Sequence, residues 1–287
     1  MLYDELGASL FEQITGIDDY YPTRNELRLL DAHLPAIAAE LGVAARVVEP
    51  GSGAGIKTKR LMRALDRPAS YVAIDVAVDA LAYAAASLRA EHPELDVHPM
   101  IGDFTRPFTL PPPKRPFGKT LVFFPGSTIG NFEPHGAVAF LANMLHIAGP
   151  NTRLLLGADG THDRDALLHA YDDLDGVTAE FNKNVLAHVN RSRGADFDLD
   201  AFEHRAVWNA DQSRVEMQLV AKAAQTVNVA GERITFAAHE PLVTEHCYKH
   251  SLEAMRTILD AAGWVPTHVF TAQEQPMRLW LCEPRGV

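Results

Sequence analysis

The chain has 287 residues, 47% of them hydrophobic and 22% charged, with a formal net charge of −11. That composition supplies a sizeable apolar core and carries no basic stripe of the kind a nucleic-acid binder needs. Two distant cysteines make no disulfide framework, and neither a leader nor a run of about 18 apolar residues is present, so a soluble cytoplasmic protein without membrane attachment is expected.

From about residue 43 short apolar runs alternate with helix-period segments. Residues 45–50 read as a strand ending in a Gly-rich turn, 57–66 as a helix and 70–76 as a second strand. A helix over 78–93 leads to a third strand at 95–104, and the Pro-rich 110–116 forms a surface loop. A fourth strand begins at 119, followed by a helix over 137–149 and a fifth strand at 152–159. Such alternation predicts βαβ units and a largely parallel sheet. The continuous apolar runs LVFF and RLLLG suit strands buried on both faces.

The pattern changes at residue 162. A long polar helical stretch covers 165–192, followed by antiparallel-type strands at 204–210, 214–231 and 232–240. From 251 a helix runs to 264, and 265–272 with 277–284 form a terminal hairpin. The expected fold is α/β: a Rossmann-like core over 25–161 and 251–287, with a second, smaller α+β subdomain from 1–24 and 162–250.

Glu49-Pro50-Gly51-Ser52-Gly53-Ala54-Gly55 follows a strand and opens a helix. Glycines there permit a tight turn and close approach of a ligand to the backbone. The spacing is E-x-G-x-G-x-G, without the glycine at 56 that a dinucleotide loop would have, so a pyrophosphate clamp fits poorly. Asp75 ends the second strand, where a carboxylate accepts from ribose hydroxyls, and Asp103-Phe104 ends the third, where an adenine would lie. Gly-rich turns alone are common. Three successive strand ends together point to S-adenosylmethionine rather than NAD.

No HExxH or CxxC spacing occurs, and no metal is expected; His162, His239, His246 and His250 are scattered and read as surface or helix-end residues. Tyr20 and Tyr21, in a loop before Pro22, offer aromatic faces to a cationic nitrogen, one of them expected at a site and the other in a core. Asn131 lies in the loop after the fourth strand, where it serves either a substrate or the turn itself. Met217 alternates with Val215 and Leu219, which fits strand packing as well as pocket lining.

Taken with YDELGASLFEQITGIDDYYPTRNE, PGSTIGNF, AYDDLDGVTAEFNKNVLAHVNR, DFDLDAFEH and TEHCYKH, the sequence resembles the histidine-specific methyltransferases of ergothioneine biosynthesis over nearly its whole length. The resemblance implies a class I methyltransferase core with a substrate-binding subdomain. It implies transfer of methyl groups from S-adenosylmethionine to the α-amino nitrogen of L-histidine, three in all, giving hercynine. Cofactor residues would be Tyr3, Glu49, Gly51, Ser52, Gly53, Gly55, Lys57, Asp75, Asp103 and Phe104. Substrate residues would be Tyr20, Gly126, Asn131, Tyr171, Phe181 and Met217, with Tyr20 also the catalytic candidate. The imidazole would be read by Glu245 and the residue two places on.

That residue is Cys247 here, where the family has Ser, and a thiol is a weaker, longer hydrogen-bonding partner than a hydroxyl. One alternative is therefore a relative acting on another amine, tryptophan-derived or a modified histidine. Another is an inactive S-adenosylmethionine-binding regulator. The expected partner is a small amino-acid substrate, and the expected assembly is a monomer or weak homo-oligomer.

Overall fold

The computed structural model describes residues 4–53, 55–272 and 276–286. In chain order, α1 (Glu5–Gly16) and α2 (Tyr21–Leu41) precede β1 (Arg46–Pro50), α3 (Ile56–Ala64), β2 (Ser70–Asp75), α4 (Val78–Glu91) and β3 (Asp96–Ile101). Next come β4 (Thr120–Phe124), α5 (Pro134–Ala148), β5 (Thr152–Asp159), α6 (Arg164–Tyr171) and α7 (Val177–Arg193). β6 (Phe202–Asn209), β7 (Arg214–Ala221), β8 (Gln225–Val229), β9 (Glu232–Phe236) and β10 (Pro241–Tyr248) follow. α8 (Leu252–Ala261), β11 (Trp264–Thr271) and β12 (Met277–Pro284) complete the order. No helix among the described residues is long and apolar enough to cross a membrane.

The chain divides into two compact units, Met1–Tyr21 with His162–Tyr248 and Pro22–Thr161 with Lys249–Val287. The second is α/β. Its sheet runs β11-β12-β5-β4-β1-β2-β3 among the described residues. β3, β2, β1, β4 and β5 are parallel, as the alternation predicts, while the hairpin strands β12 and β11 join antiparallel beside β5. Alternate residues of the central strands serve opposite layers. Leu121 and Phe123 pack with Leu30 and Ile37 of α2 and Leu61 of α3, whereas Val122 and Phe124 pack with Leu141 of α5 and Leu259 of α8. Helices thus cover both faces, and each fully buried apolar side chain contributes about 1.5–3 kcal/mol.

The other unit joins a three-stranded antiparallel sheet, β10-β7-β6, and the β8-β9 ribbon to α1, α6 and α7. Asp4 caps α1 through the Gly7 amide and also accepts from Asn184, His188 and Arg191 along α7.

Three local expectations are corrected. The helical stretch over 165–192 breaks after Tyr171, because the Asp173 carboxylate accepts from the Val177 and Thr178 amides and Gly176 turns left-handed (φ 76°) to start α7. The strand expected over 214–231 divides, since the Lys222 amide turns to the Ala201 carbonyl and β8 then pairs with β9. Tyr21 lies not in a loop but at the start of α2, with Pro22 in the first turn, where its missing N–H costs nothing.

Candidate active site

In the α/β unit, the Gly-rich turn leaves β1 with left-handed backbone at Gly51, Gly53 and Gly55 (φ 70°, 50° and 74°). The Gly51 amide bonds to the Ile74 carbonyl at 2.7 Å, and the Gly53 amide donates to Asp75 Oδ2 at 3.0 Å. Asp75 Oδ1 accepts from the Ala77 amide at 2.9 Å, so the carboxylate is fixed at the rim of β2. A Cβ at Gly51 would press on the Phe104 ring at 3.2 Å, whereas one at Gly53 would meet nothing within 4 Å. The turn therefore has an aromatic wall on one side and open space above its centre. Ser52 is buried within it. Phe104 itself packs edge-on against Phe124 and Phe140. Asp103 sits in an exposed turn, where the Thr105 hydroxyl and amide and Arg106 hold its carboxyl below the usual carboxylate range.

Beneath the turn, Glu49 is buried. The Thr58 and Tyr71 hydroxyls both donate to its Oε2 at 2.6 Å. Burial pushes its pKa up to about 7 against those two hydrogen bonds, which pull it down. Lys57 Nζ lies 2.5 Å from Glu26 Oε2, and the same carboxylate accepts from the Gly126 amide at 2.8 Å. A Cβ at Gly157 would displace the Glu26 carboxyl group from this position. Glu26 was not singled out in the sequence, although it stands on the same buried stripe of α2 as Leu29 and Leu30 and is the charged residue on it.

The loop after β4 holds Gly126 and a 3-10 turn, Thr128–Asn131, that ends in the exposed Asn131. Ser127 is left-handed (φ 56°), and its Oγ accepts from the Asp159 amide at 3.0 Å. Asp159 pairs with Lys249 at 3.0 Å, both side chains wholly buried. His250, next in the chain, is pushed down to about 4 by its burial and by the Lys249 charge.

The other unit gathers Tyr20, Tyr171, Phe181, Met217 and Cys247 into a single apolar cluster. The Tyr20 and Tyr171 rings meet edge-on with centroids 6.1 Å apart, and the Tyr171 hydroxyl lies 2.9 Å from Cys247 Sγ. Glu245 stands opposite Met217 and Cys247 opposite Val215 in the β10–β7 register, so all four side chains share one face of the sheet. Glu245 is half-buried. Both Tyr20 and Tyr21 pack with this cluster, rather than one alone. Tyr3 lies outside the described residues.

The model of the family "Histidine-specific methyltransferase, SAM-dependent" matches residues 1–284. The chain belongs to this family. A histidine N-alpha-methyltransferase of Mycolicibacterium smegmatis is 43% identical over 274 residues, covering 94% of this chain and 84% of that protein. One from Mycobacterium tuberculosis is 40% identical over 269 residues, covering 91% and 82%. Among solved structures, an S-adenosylmethionine-dependent methyltransferase from Clostridium acetobutylicum superposes with a TM-score of 0.53 at 11% identity, covering 97% of this chain and 98% of that one, which shows a shared fold.

As a member of the family the chain is an S-adenosylmethionine-dependent methyltransferase. Its residues fit that cofactor. The fixed Asp75 carboxylate suits ribose hydroxyls, the open space over Gly53 admits a ligand, and the Phe104 wall suits a flat base.

Proposed function

We propose that this methyltransferase acts on the α-amino nitrogen of L-histidine and adds three methyl groups in succession to give hercynine. The observation that carries the reading is the shared sheet face of Glu245, Cys247 and Met217 under the Tyr20–Tyr171 pair, alongside the family match. The acidic acceptor Glu245 suits an imidazole bearing an N–H, and the tyrosine rings suit a nitrogen that gains a permanent positive charge. The α/β unit is assigned the cofactor and the other unit the recognition of the amino acid's ring.

The bound cofactor supplies an electrophilic methyl on a sulfonium. That methyl would pass to a neutral amine, with the methyl–sulfur electron pair kept on sulfur, and the spent group would leave as S-adenosylhomocysteine. The amine would release a proton to solvent before the first round and again before each of the next two. The protein's task is to hold nitrogen and methyl in line and to tolerate spreading charge. Tyr20 is assigned to the reacting nitrogen, and Asn131, Gly126 and Tyr171 to the amino-acid groups common to all such substrates. Phe181 and Met217 are assigned to the walls around the ring. Gly51, Ser52, Gly53, Gly55, Asp75, Asp103 and Phe104 are assigned to the cofactor, with Lys57 at its helix end and Glu49 supporting the turn from below.

A second reading rests on Cys247. Its sulfur is engaged by the Tyr171 hydroxyl in place of the family's serine oxygen, which favours a ring other than unmodified imidazole. Incubating the protein with S-adenosylmethionine and a panel of amino acids, histidine included, and reading products by mass spectrometry decides between the two. Trimethylated histidine is expected. Methylation of a tryptophan-derived or modified-histidine amine with histidine untouched would overturn the reading.

A further inference from the structure

Asn182 is wholly buried on α7, one residue past Phe181. Asparagine is a poor helix former, and a buried amide is costly unless its hydrogen bonds are made. Here its amide bonds reach three strands. Asn182 Nδ2 donates to the Gln218 carbonyl at 3.2 Å and to His204 Nδ1 at 2.9 Å, while Oδ1 accepts from Thr244 Oγ1 at 2.5 Å. The Gln218 carbonyl can only accept, which fixes the amide's orientation. That in turn makes His204 Nδ1 an acceptor and leaves the proton on Nε2, which donates to the Tyr171 carbonyl at 2.9 Å. Tyr171 is the last residue of α6, where helix carbonyls have no partner within the helix.

Thr244 stands at the point where the β10–β7 register shifts, between Val243 and Glu245. A bulge re-aims the side chains that follow it. The Thr244 hydroxyl points inward and shares its one proton between Asn182 Oδ1 and the Met217 carbonyl at 2.9 Å. One buried amide thus fixes the backbone at Tyr171 through His204 and the bulge before Glu245 through Thr244.

We propose that Asn182, His204 and Thr244 are positioning residues that set the aim of Tyr171 and Glu245 and so govern amino-acid selectivity. The assignment of those two to the substrate rests on the function proposed above; the network's hold on the backbone does not. Thr244→Val keeps the shape and removes the hydroxyl, and Thr244→Ser restores it. Thr244→Val is expected to raise KM for histidine about tenfold, the weight of one hydrogen bond. KM for S-adenosylmethionine and kcat should stay within about twofold, and Thr244→Ser should return KM to near the wild-type value.

Val227→Ala, in the separate cluster under the β8–β9 ribbon, controls for lost stability and should move neither KM. Hydrogen exchange at the amides of 243–247 and 171–173, without any substrate, should quicken in Thr244→Val and in Asn182→Asp. Exchange unchanged from wild type would overturn the proposal. So would a histidine KM that shifts no more than in Val227→Ala, or both KM values rising together. Should wild type methylate a different amine, the function proposed above fails and the same KM comparison is made with that amine.

Discussion

Glu49→Gln tests how the cofactor turn is supported. Wild-type Glu49 is buried with its pKa pushed up to about 7, against 4.5 for an exposed carboxyl. The proton is therefore kept in the folded protein over a pH range in which the unfolded chain releases it. Stability from this residue is fully present below 4.5, declines as pH rises, and is gone once the folded carboxyl itself ionises near 7. Each pH unit in that window is worth about 1.4 kcal/mol, so the total reaches about 3 kcal/mol. That is a sizeable part of a typical domain's net stability, about 5–15 kcal/mol. Glutamine keeps an oxygen for the Thr58 and Tyr71 hydroxyls and removes the titration. Urea unfolding of both proteins from about pH 4 to about pH 8.5 isolates the residue, because titrating groups not coupled to Glu49 cancel in the difference. The variant should gain on wild type steadily with rising pH and level off by about 3 kcal/mol above pH 7. A difference that stays flat across the window would refute the reasoning.

In the cofactor turn, Asp75→Ala should weaken S-adenosylhomocysteine binding by about 1–3 kcal/mol through lost charge-assisted bonds. Gly53→Val should abolish binding, by about 1–2 kcal/mol of left-handed backbone strain and by filling the open space; wild-type affinity by calorimetry in both would overturn the assignment. Asp159→Ala strands the buried Lys249 charge and should cost about 3–5 kcal/mol in chemical denaturation, and a loss under about 1 kcal/mol would show that the pair is not holding β5 to the segment after β10. For the imidazole, Glu245→Ala should reduce kcat/KM for histidine more than Cys247→Ala, because an ionised acceptor bonds an N–H more strongly than a neutral group. Cys247→Ser should leave histidine use unchanged or improve it. Histidine activity that appears only in Cys247→Ser would refute histidine as the natural substrate.

Local sequence determined the alternation of β1 to β5 with their helices, because a strand buried on both faces needs a continuous apolar run and an amphipathic helix shows its period within a few turns. The same locality made the glycine turn, Asp75 and Asp103-Phe104 legible as successive strand ends, and the long motifs gave the family. Tertiary structure alone decided what depends on residues distant in the chain. Nothing near Glu26 announces that its carboxylate will meet Lys57 and the Gly126 amide, nor does anything near Asn182 announce His204 and Thr244, which lie on strands 22 and 62 residues away. The bulge before Glu245 and the pairing of Asp159 with Lys249 are likewise products of register and packing. Apolar periodicity is written into neighbouring residues, whereas a buried polar group takes its meaning from whichever partner the folded chain brings within hydrogen-bond reach.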